Sequence, residues 1–185
     1  MDKNNIELIK EAISGDKISL IELIKQEENN IYSTLYYLKQ NDDEIADIMQ
    51  NVLLKLSTKI HQLKNPKYFS TWLNQIIINS YYDYLRKRKR SSQLILSDKE
   101  SDFDTVDYKT NPQDKILYSE LDRVIKNSIK NLPMHYKIPI ALREIQGLSY
   151  SDISNITKTT VGTVKSRIAR ARSIIKDKVD KYTKG

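Results

Sequence analysis

The stretch from Gly147 to Lys176, GLSYSDISNITKTTVGTVKSRIARARSIIK, constrains the fold more than any other part of the chain. Its spacing predicts a helix over Tyr150 to Ile156, a Thr-rich turn, and a second helix starting near Thr160, whose hydroxyl can cap it. At about 100° per residue, Val164, Ile168, Ala171 and Ile175 form one apolar stripe, and Ser166, Ala169, Arg170 and Ser173 point the opposite way. One face packs and the other looks outward. The outward face is small and hydrogen-bonding near the helix start, with Lys165, Arg167, Arg170 and Arg172 beside it. Short side chains bring a backbone close to base edges, Arg can donate two bonds to guanine, and flanking cations neutralise phosphates. A solvated basic helix is the plainer alternative, but the preceding helix and turn complete a helix-turn-helix.

The rest of the composition agrees with a nucleic-acid partner without choosing it. The 185 residues suffice for one domain or two small ones, and the net charge of +7 with a pI near 9.3 favours a polyanion. Anionic lipid would satisfy charge alone equally well. There is no cysteine, which excludes disulfides, thiolate metal sites and cysteine nucleophiles. No apolar run is long enough to cross a bilayer, and MDKNNIELIKEAISGD lacks the apolar core of a signal peptide. A soluble, cytoplasmic chain without direct membrane insertion is expected. Few apolar stretches alternate, and Gly and Pro number four each, so the expected class is all-α.

In the N-terminal half, Ile6, Ile9 and Ile13 mark a helix over Asn5 to Ser14, and Gly15 suits its C-terminus. A second helix begins at Asp16, with a break around Glu28 to Asn30, and resumes with Ile31, Leu35 and Leu38 on one side. A third spans Asp42 to Lys59, capped by Asp42 or Asp43, with Ile45, Ile48, Val52 and Leu56 as its packing stripe. His61 to Tyr68 reads as a loop by its Asn-Pro signal. Neither His61 nor His135 has a ligand constellation, so no metal, cofactor or catalytic group is expected.

Phe69 opens a long helix, FSTWLNQIIINSYYDYLRKRKR. Trp72, Asn79, Asp83 and Arg86 lie seven, four and three residues apart and share one face. Tyr68, Trp72 and Tyr82 are available rings on and just before this helix, and Asn79 is an available amide. The plainer readings are core packing for Trp72 and an Asp83–Arg86 ion pair. The closing run Arg86-Lys87-Arg88-Lys89-Arg90 repels itself unless an anion lies near, so it fixes position on phosphate without reading sequence.

Residues 91–112 change character: no helical stripe, and five acids against Lys99 between Asp98 and Asp107. They read as a flexible acidic linker between a domain at 1–90 and another at 113–185. In the latter, Asp114 to Asn131 is a helix with Ile116, Leu117, Leu121, Val124, Ile125 and Ile129 inward. Leu132-Pro133 separates it from Met134 to Gln146, which buries Ile138, Ala141, Leu142 and Ile145 and is closed by Gly147.

The run Gly162-Thr163-Val164-Lys165-Ser166-Arg167-Ile168, with Arg170-Ala171-Arg172 after it and Leu132-Pro133, Leu142-Arg143-Glu144 and Gly147-Leu148-Ser149-Tyr150 before it, resembles the C-terminal DNA-binding segment of extracytoplasmic-function (ECF) sigma factors of bacterial RNA polymerase. Asp47-Ile48-Met49-Gln50-Asn51-Val52-Leu53-Leu54 is similar to the family's polymerase-docking signature, with Asn51 where a Glu is usual. Trp72-Leu73 followed by Asn79, Asp83 and Arg86 matches the helix that opens the downstream promoter element, with Ile78 where an Arg is common. The resemblance covers about Asp16 to Lys178. It implies polymerase docking through Asp47, Gln50, Asn51 and Leu54. It implies capture of the melted downstream (minus-ten) element by Lys64, Asn65, Lys67, Tyr68, Trp72, Asn79, Tyr82, Asp83, Arg86 and Lys87. It further implies reading of the upstream (minus-thirty-five) duplex by Arg143, Thr163, Lys165, Ser166, Arg167, Ala169, Arg170 and Arg172. The implied partners are core RNA polymerase, promoter DNA as duplex and as melted strand, and an anti-sigma factor of the kind common in the family. The implied linker threads toward the RNA exit channel and active-site cleft.

The turn departs from the family pattern. Counting back from Gly162, Thr157 stands where a Leu is customary, Lys158 where a Gly is, and Ser154 where a small residue is. A Lys at positive φ costs about 1 kcal/mol, and Ile156 is placed to supply the missing apolar contact.

Two rival readings carry different expectations. A stand-alone helix-turn-helix regulator would bind duplex operator tightly without polymerase. A nuclease or nucleotidyl transferase would need clustered carboxylates, but Asp42 and Asp43 point different ways on a helix and there is no Gly-rich phosphate loop.

Overall fold

The computed structural model describes residues 3–38, 42–95 and 116–184. Their regular structure is entirely helical: α1 (Lys3–Ser14), α2 (Lys17–Leu38), α3 (Asp42–Lys59), α4 (Phe69–Ile95), α5 (Ile116–Lys130), α6 (Met134–Glu144), α7 (Tyr150–Thr157) and α8 (Val161–Lys184). This is the all-α class expected, in two groups of four helices. The cap role assigned to Asp42, the inward placement of Ile116 and Leu117, and the acids from Asp98 to Asp107 lie outside the described residues or side chains.

The stripe predicted for α3 is the centre of the N-terminal group: Ile45, Ile48, Val52 and Leu56 are at most 1% exposed. They pack between α2 and α4, which contribute Leu23, Ile31, Leu35, Leu73 and Ile77. Fully burying one such side chain stabilises by about 1.5–3 kcal/mol, so this layer dominates the half's stability.

Helix α2 does not break at Glu28 to Asn30. Asn30 Nδ2 donates to Glu27 (2.7 Å), and Thr34 Oγ1 donates back to the Asn30 carbonyl (2.9 Å), so the polar residues are satisfied along the helix surface. Ile31 and Leu35, both fully buried, hold the following turns in the core. Tertiary packing overrides a weak local preference.

The predicted loop at His61–Tyr68 winds as two short 3₁₀ turns, Ile60–Gln62 and Pro66–Tyr68. Asn65 caps the second, its Oδ1 accepting from the Lys67 N–H at 3.0 Å. α4 then runs through Ile95, past the predicted end at Arg90.

Tyr81 on α4 donates its phenol to the Leu38 carbonyl at 2.9 Å, where α2 ends. Burial pushes this phenol up to about 12. The neutral phenol is the species the fold favours, so its contribution is complete below the ordinary tyrosine value near 10 and is lost as pH climbs through about 12. The linkage amounts to roughly 2–3 kcal/mol. Tyr81→Phe should cost about 1 kcal/mol at pH 8 yet flatten the loss of stability between pH 9 and 11.5. Urea midpoints at the three pH values check this; parallel curves for parent and variant would refute it.

In the C-terminal group, Val164, Ile168 and Ala171 are at most 1% exposed. They pack α8 against α6 and α7, whose Ile138, Ala141, Leu142, Ile153 and Ile156 are buried with them. Ile175, the last residue of the predicted stripe, is half-buried. Two chain reversals need the left-handed region: Gly147 after α6, at φ +64°, and Lys158 after α7, at φ 54°. Lys158 is the only described non-glycine residue at positive φ. The strain expected there is therefore real.

The two groups also touch one another, α2 against α5 and α6 and α4 against α7.

Candidate nucleic-acid interface

The turn between α7 and α8 is built from short-range bonds. Ser149 caps α7, its Oγ accepting from the Asp152 N–H at 3.1 Å, and Thr160 caps α8, its Oγ1 accepting from the Thr163 N–H at 3.2 Å. Thr157 and Thr159 share a hydroxyl bond at 2.9 Å, which takes the polar Thr157 into a position expected to be apolar. Ile156 is 3% exposed and supplies the packing instead.

These caps start α8 so that Ser166, Ala169, Arg170 and Ser173 face solvent together, with Lys165 beside them. Thr163 and Arg167 are half-buried at the margins. Arg143 is anchored beside the site: its Nη1 donates to the Leu148 carbonyl at 2.7 Å, and its guanidinium lies 4.8 Å from the Tyr150 ring centre. Lys165 Nζ lies 5.8 Å from the same ring. Arg172 is held by Glu144, with Nη2–Oε1 at 2.6 Å, and this carboxylate keeps the guanidinium more firmly protonated. Any anion approaching Arg172 must displace Glu144.

Tyr150 had no site role in the sequence reading. It gathers Arg143 and Lys165, two cations from different helices, on one ring. No local spacing marks it, because Arg143 precedes it and Lys165 follows a turn later. Tyr150→Leu should weaken duplex binding by about three- to tenfold and lower the salt slope by about one phosphate contact. Tyr150→Phe keeps the ring and should bind like the parent. Equal losses in the two variants, measured by salt titration, would refute the role.

The second face lies on α4 and the turns before it. Lys64, Asn65, Lys67 and Tyr68 are exposed, Tyr68 at 63%, and farther along α4 so are Asn79 and Tyr82. Trp72 is half-buried against Phe69, ring centres 6.2 Å apart, so it packs on one side and is open on the other. Phe69 and Leu73 are core.

Asp83 forms the anticipated ion pair with Arg86 and a second with Lys55, whose Nζ also bonds Ser80 at 3.1 Å. The Arg86 hydrogen bond, then that of Lys55, holds the Asp83 carboxyl below its usual range. Arg88 pairs with Glu44 at 3.4 Å, and Arg86, Lys87, Arg88, Lys89 and Arg90 are all exposed. Part of the cationic run is therefore compensated within the protein. Lys55 was not foreseen, since the partners are 28 residues apart.

The third face is α3. Asp47, Gln50, Asn51 and Leu54 are exposed in one row, and Leu54 at 61% is an apolar side chain that a merely wet face does not require. Asn51 Nδ2 donates to the Asp47 carbonyl at 2.8 Å, so its amide lies along the helix.

Among the described residues, no group of three or more His, Cys, Asp or Glu is placed to hold a metal ion, and no helix is long and apolar enough to cross a membrane.

Family models for Sigma-70 region 2 and Sigma-70, region 4 match residues 23–91 and 122–175. These are the segments that carry the α3–α4 faces and the helix-turn-helix. The ECF RNA polymerase sigma-E factor of Haemophilus influenzae is 34% identical over 178 residues, covering 93% of each chain. That of Escherichia coli K12 is 29% identical over 183 residues, covering 93% of this chain and 92% of the relative. Among solved structures, CnrH in complex with the cytosolic domain of CnrY aligns with a TM-score of 0.66 at 20% identity, over 95% of this chain and 97% of that one. The sigma factor RpoE in complex with the anti-sigma factor NepR from Bartonella quintana aligns with a TM-score of 0.68 at 24% identity, over 84% and 96%. With both halves matched in order and a relative this similar along almost the whole length, the chain belongs to the extracytoplasmic-function sigma factor family of bacterial RNA polymerase.

Proposed function

We propose that this chain binds core RNA polymerase and directs initiation at promoters by dividing the work between its halves. The observation that carries the reading is the coexistence on one chain of an exposed aromatic-and-amide face (Tyr68, Asn79, Tyr82) and an exposed recognition face on α8 (Ser166, Ala169, Arg170). A duplex reader needs only the second.

In this mechanism Asp47, Gln50, Asn51 and Leu54 dock the polymerase. The α8 face reads the upstream duplex: Arg170 can donate two bonds to a guanine, Ser166 hydrogen-bonds, and Ala169 admits close approach or a thymine methyl. Lys165 lies nearest the bases beside them, Arg167 and Arg172 contact phosphates and set register, and Arg143 touches the DNA beside the recognition helix. Downstream, unstacking costs a few kcal/mol per step, and stacking on exposed aromatic faces with amide bonds to base edges returns it. The exposed cations of α4 hold the backbone beside the opened step. The chain itself makes and breaks no bond.

Both structural relatives are complexes, one with the cytosolic domain of CnrY and one with the anti-sigma factor NepR. We extend an anti-sigma partner to this chain. A groove of about 420 Å³ lined by Tyr37, Ile125, Ile140, Ile145, Ile175 and Val179 offers an apolar seat for a partner helix.

Run-off transcription with purified core polymerase and a promoter library tests the reading. Promoter-dependent transcripts should appear only when the protein is added. Tight operator binding without polymerase, and no transcripts with it, would replace this reading with the stand-alone regulator.

A further inference from the structure

Two of the cations on α4 are engaged by carboxylates of the protein, and each carboxylate has a second donor that is less exposed than the cation. Asp83 gives one oxygen to each partner: Oδ1 accepts from Arg86 Nη2, and Oδ2 accepts from Lys55 Nζ of α3 at 3.0 Å. Lys55 Nζ also donates to the buried Ser80 Oγ at 3.1 Å, which fixes the ammonium between the two helices. The two cations differ in access. The Lys55 side chain is 30% exposed and that of Arg86 69%. Glu44 repeats the arrangement: its Oε1 accepts from the Tyr84 phenol and lies 3.4 Å from Nη1 of the more exposed Arg88.

Resting on the function proposed above, we propose that Lys55 is a positioning residue for strand capture: it keeps Asp83 neutralised, so that Arg86 can leave the other oxygen of the same carboxylate and pass to a phosphate of the opened strand. The charges decide this. One carboxylate between two cations leaves one positive charge over, which an arriving phosphate satisfies. Take Lys55 away and nothing is left over within the trio. Moving Arg86 to phosphate then uncovers a carboxylate three residues away on the same side of α4, where it repels the incoming anion. Exposed ion pairs are weak enough to exchange, and a phosphate can take two guanidinium N–H bonds side by side. The exposed guanidinium is therefore the cation that moves, and the ammonium tied to Ser80 is the one that stays. Asp83 is ionised in the free chain, because the hydrogen bonds from Arg86 and then Lys55 hold it below the usual carboxylate range. A Lys55 that merely joined α3 to α4 leads to a different expectation: neutralising Asp83 could not repair its loss.

The test uses the full chain in two assays. In one, the chain with saturating core polymerase opens a promoter fragment recovered by run-off transcription, read by permanganate reactivity. In the other, the chain alone binds oligothymidylate, read by fluorescence anisotropy over a salt series. Lys55→Met keeps the aliphatic stem and removes the charge. It should lower both signals by about three- to tenfold and reduce the salt slope by about 0.7, the share of one single-strand phosphate contact. Lys55→Arg should return both to within about twofold of the parent. Adding Asp83→Asn to Lys55→Met should restore them as well, because no carboxylate then holds Arg86. Asp83→Asn alone, which retains Lys55, should bind oligothymidylate about twofold more tightly than the parent. Circular dichroism melts within a few degrees of the parent show that the variants remain folded. Parent-like values for Lys55→Met in either assay, no recovery in the Lys55→Met/Asp83→Asn pair, or weaker binding by Asp83→Asn alone would overturn the assignment, as would a parent that binds neither probe. A parent that binds oligothymidylate but opens no promoter with polymerase removes the sigma-factor reading instead, and the oligothymidylate series then decides the role of Lys55.

Discussion

Ile168→Asp should unfold the C-terminal half, while Ala169→Asp, one residue further along α8, should leave it folded and abolish duplex binding. Ile168 is 1% exposed, between Val164 and Ala171 in the layer that joins α8 to α6 and α7. Losing its burial costs about 2–3 kcal/mol, and an unpaired carboxylate there adds several more. A unit of the 69 residues from Ile116 to Lys184 has a total stability of roughly 3–10 kcal/mol. The sum is comparable with the whole. Ala169 is exposed on the outward face, so its replacement leaves the core untouched. It places a negative charge where a base edge or phosphate must approach, and repulsion from the DNA, together with pairing of the new carboxylate to Lys165, should cost at least about a hundredfold in affinity. Thermal melts by circular dichroism and fluorescence anisotropy on a duplex check the pair. Cooperative melting of Ile168→Asp at the parent temperature would contradict the assignment of the two faces.

Asn79→Ala should spare duplex binding by the polymerase complex and depress strand opening by about ten- to a hundredfold, with Trp72→Ala at least as severe. Base capture by stacking is worth about 1–3 kcal/mol per base, and an amide reading a base edge contributes on the same scale. Asn79 is exposed and its amide is engaged by Gln75, a bond it can exchange for one to a base. Trp72 carries a second cost through its packing on Phe69, so its loss should also lower the melting temperature by a few degrees. The two variants therefore separate chemistry from stability. Permanganate footprinting of open complexes reads the effect directly. Equal reactivity for Asn79→Ala and the parent would count against the downstream role.

How much of this was legible beforehand depended on the range of the interaction. The α3 stripe, the cap at Thr160, the reversal at Gly147 and the strained Lys158 are each set by residues within about one or two helical turns. Hydrophobic period and backbone sterics therefore expose them in the linear chain. The outward row of α8 followed in the same way, because fixing the buried stripe fixes the opposite face.

What the linear chain determined by itself was the all-helical class, the helix-turn-helix and which side of α3 and α8 is buried. Only the tertiary structure decided that α2 runs unbroken past Asn30, that Glu144 holds Arg172 and Lys55 holds Asp83, and that Gln75 ties Asn79 to α7. The physical reason is separation along the chain. A helix period repeats every few residues and leaves its mark locally, whereas a hydrogen bond across 81 residues, as between Thr71 and Asp152, depends on where two packed cores bring their surfaces.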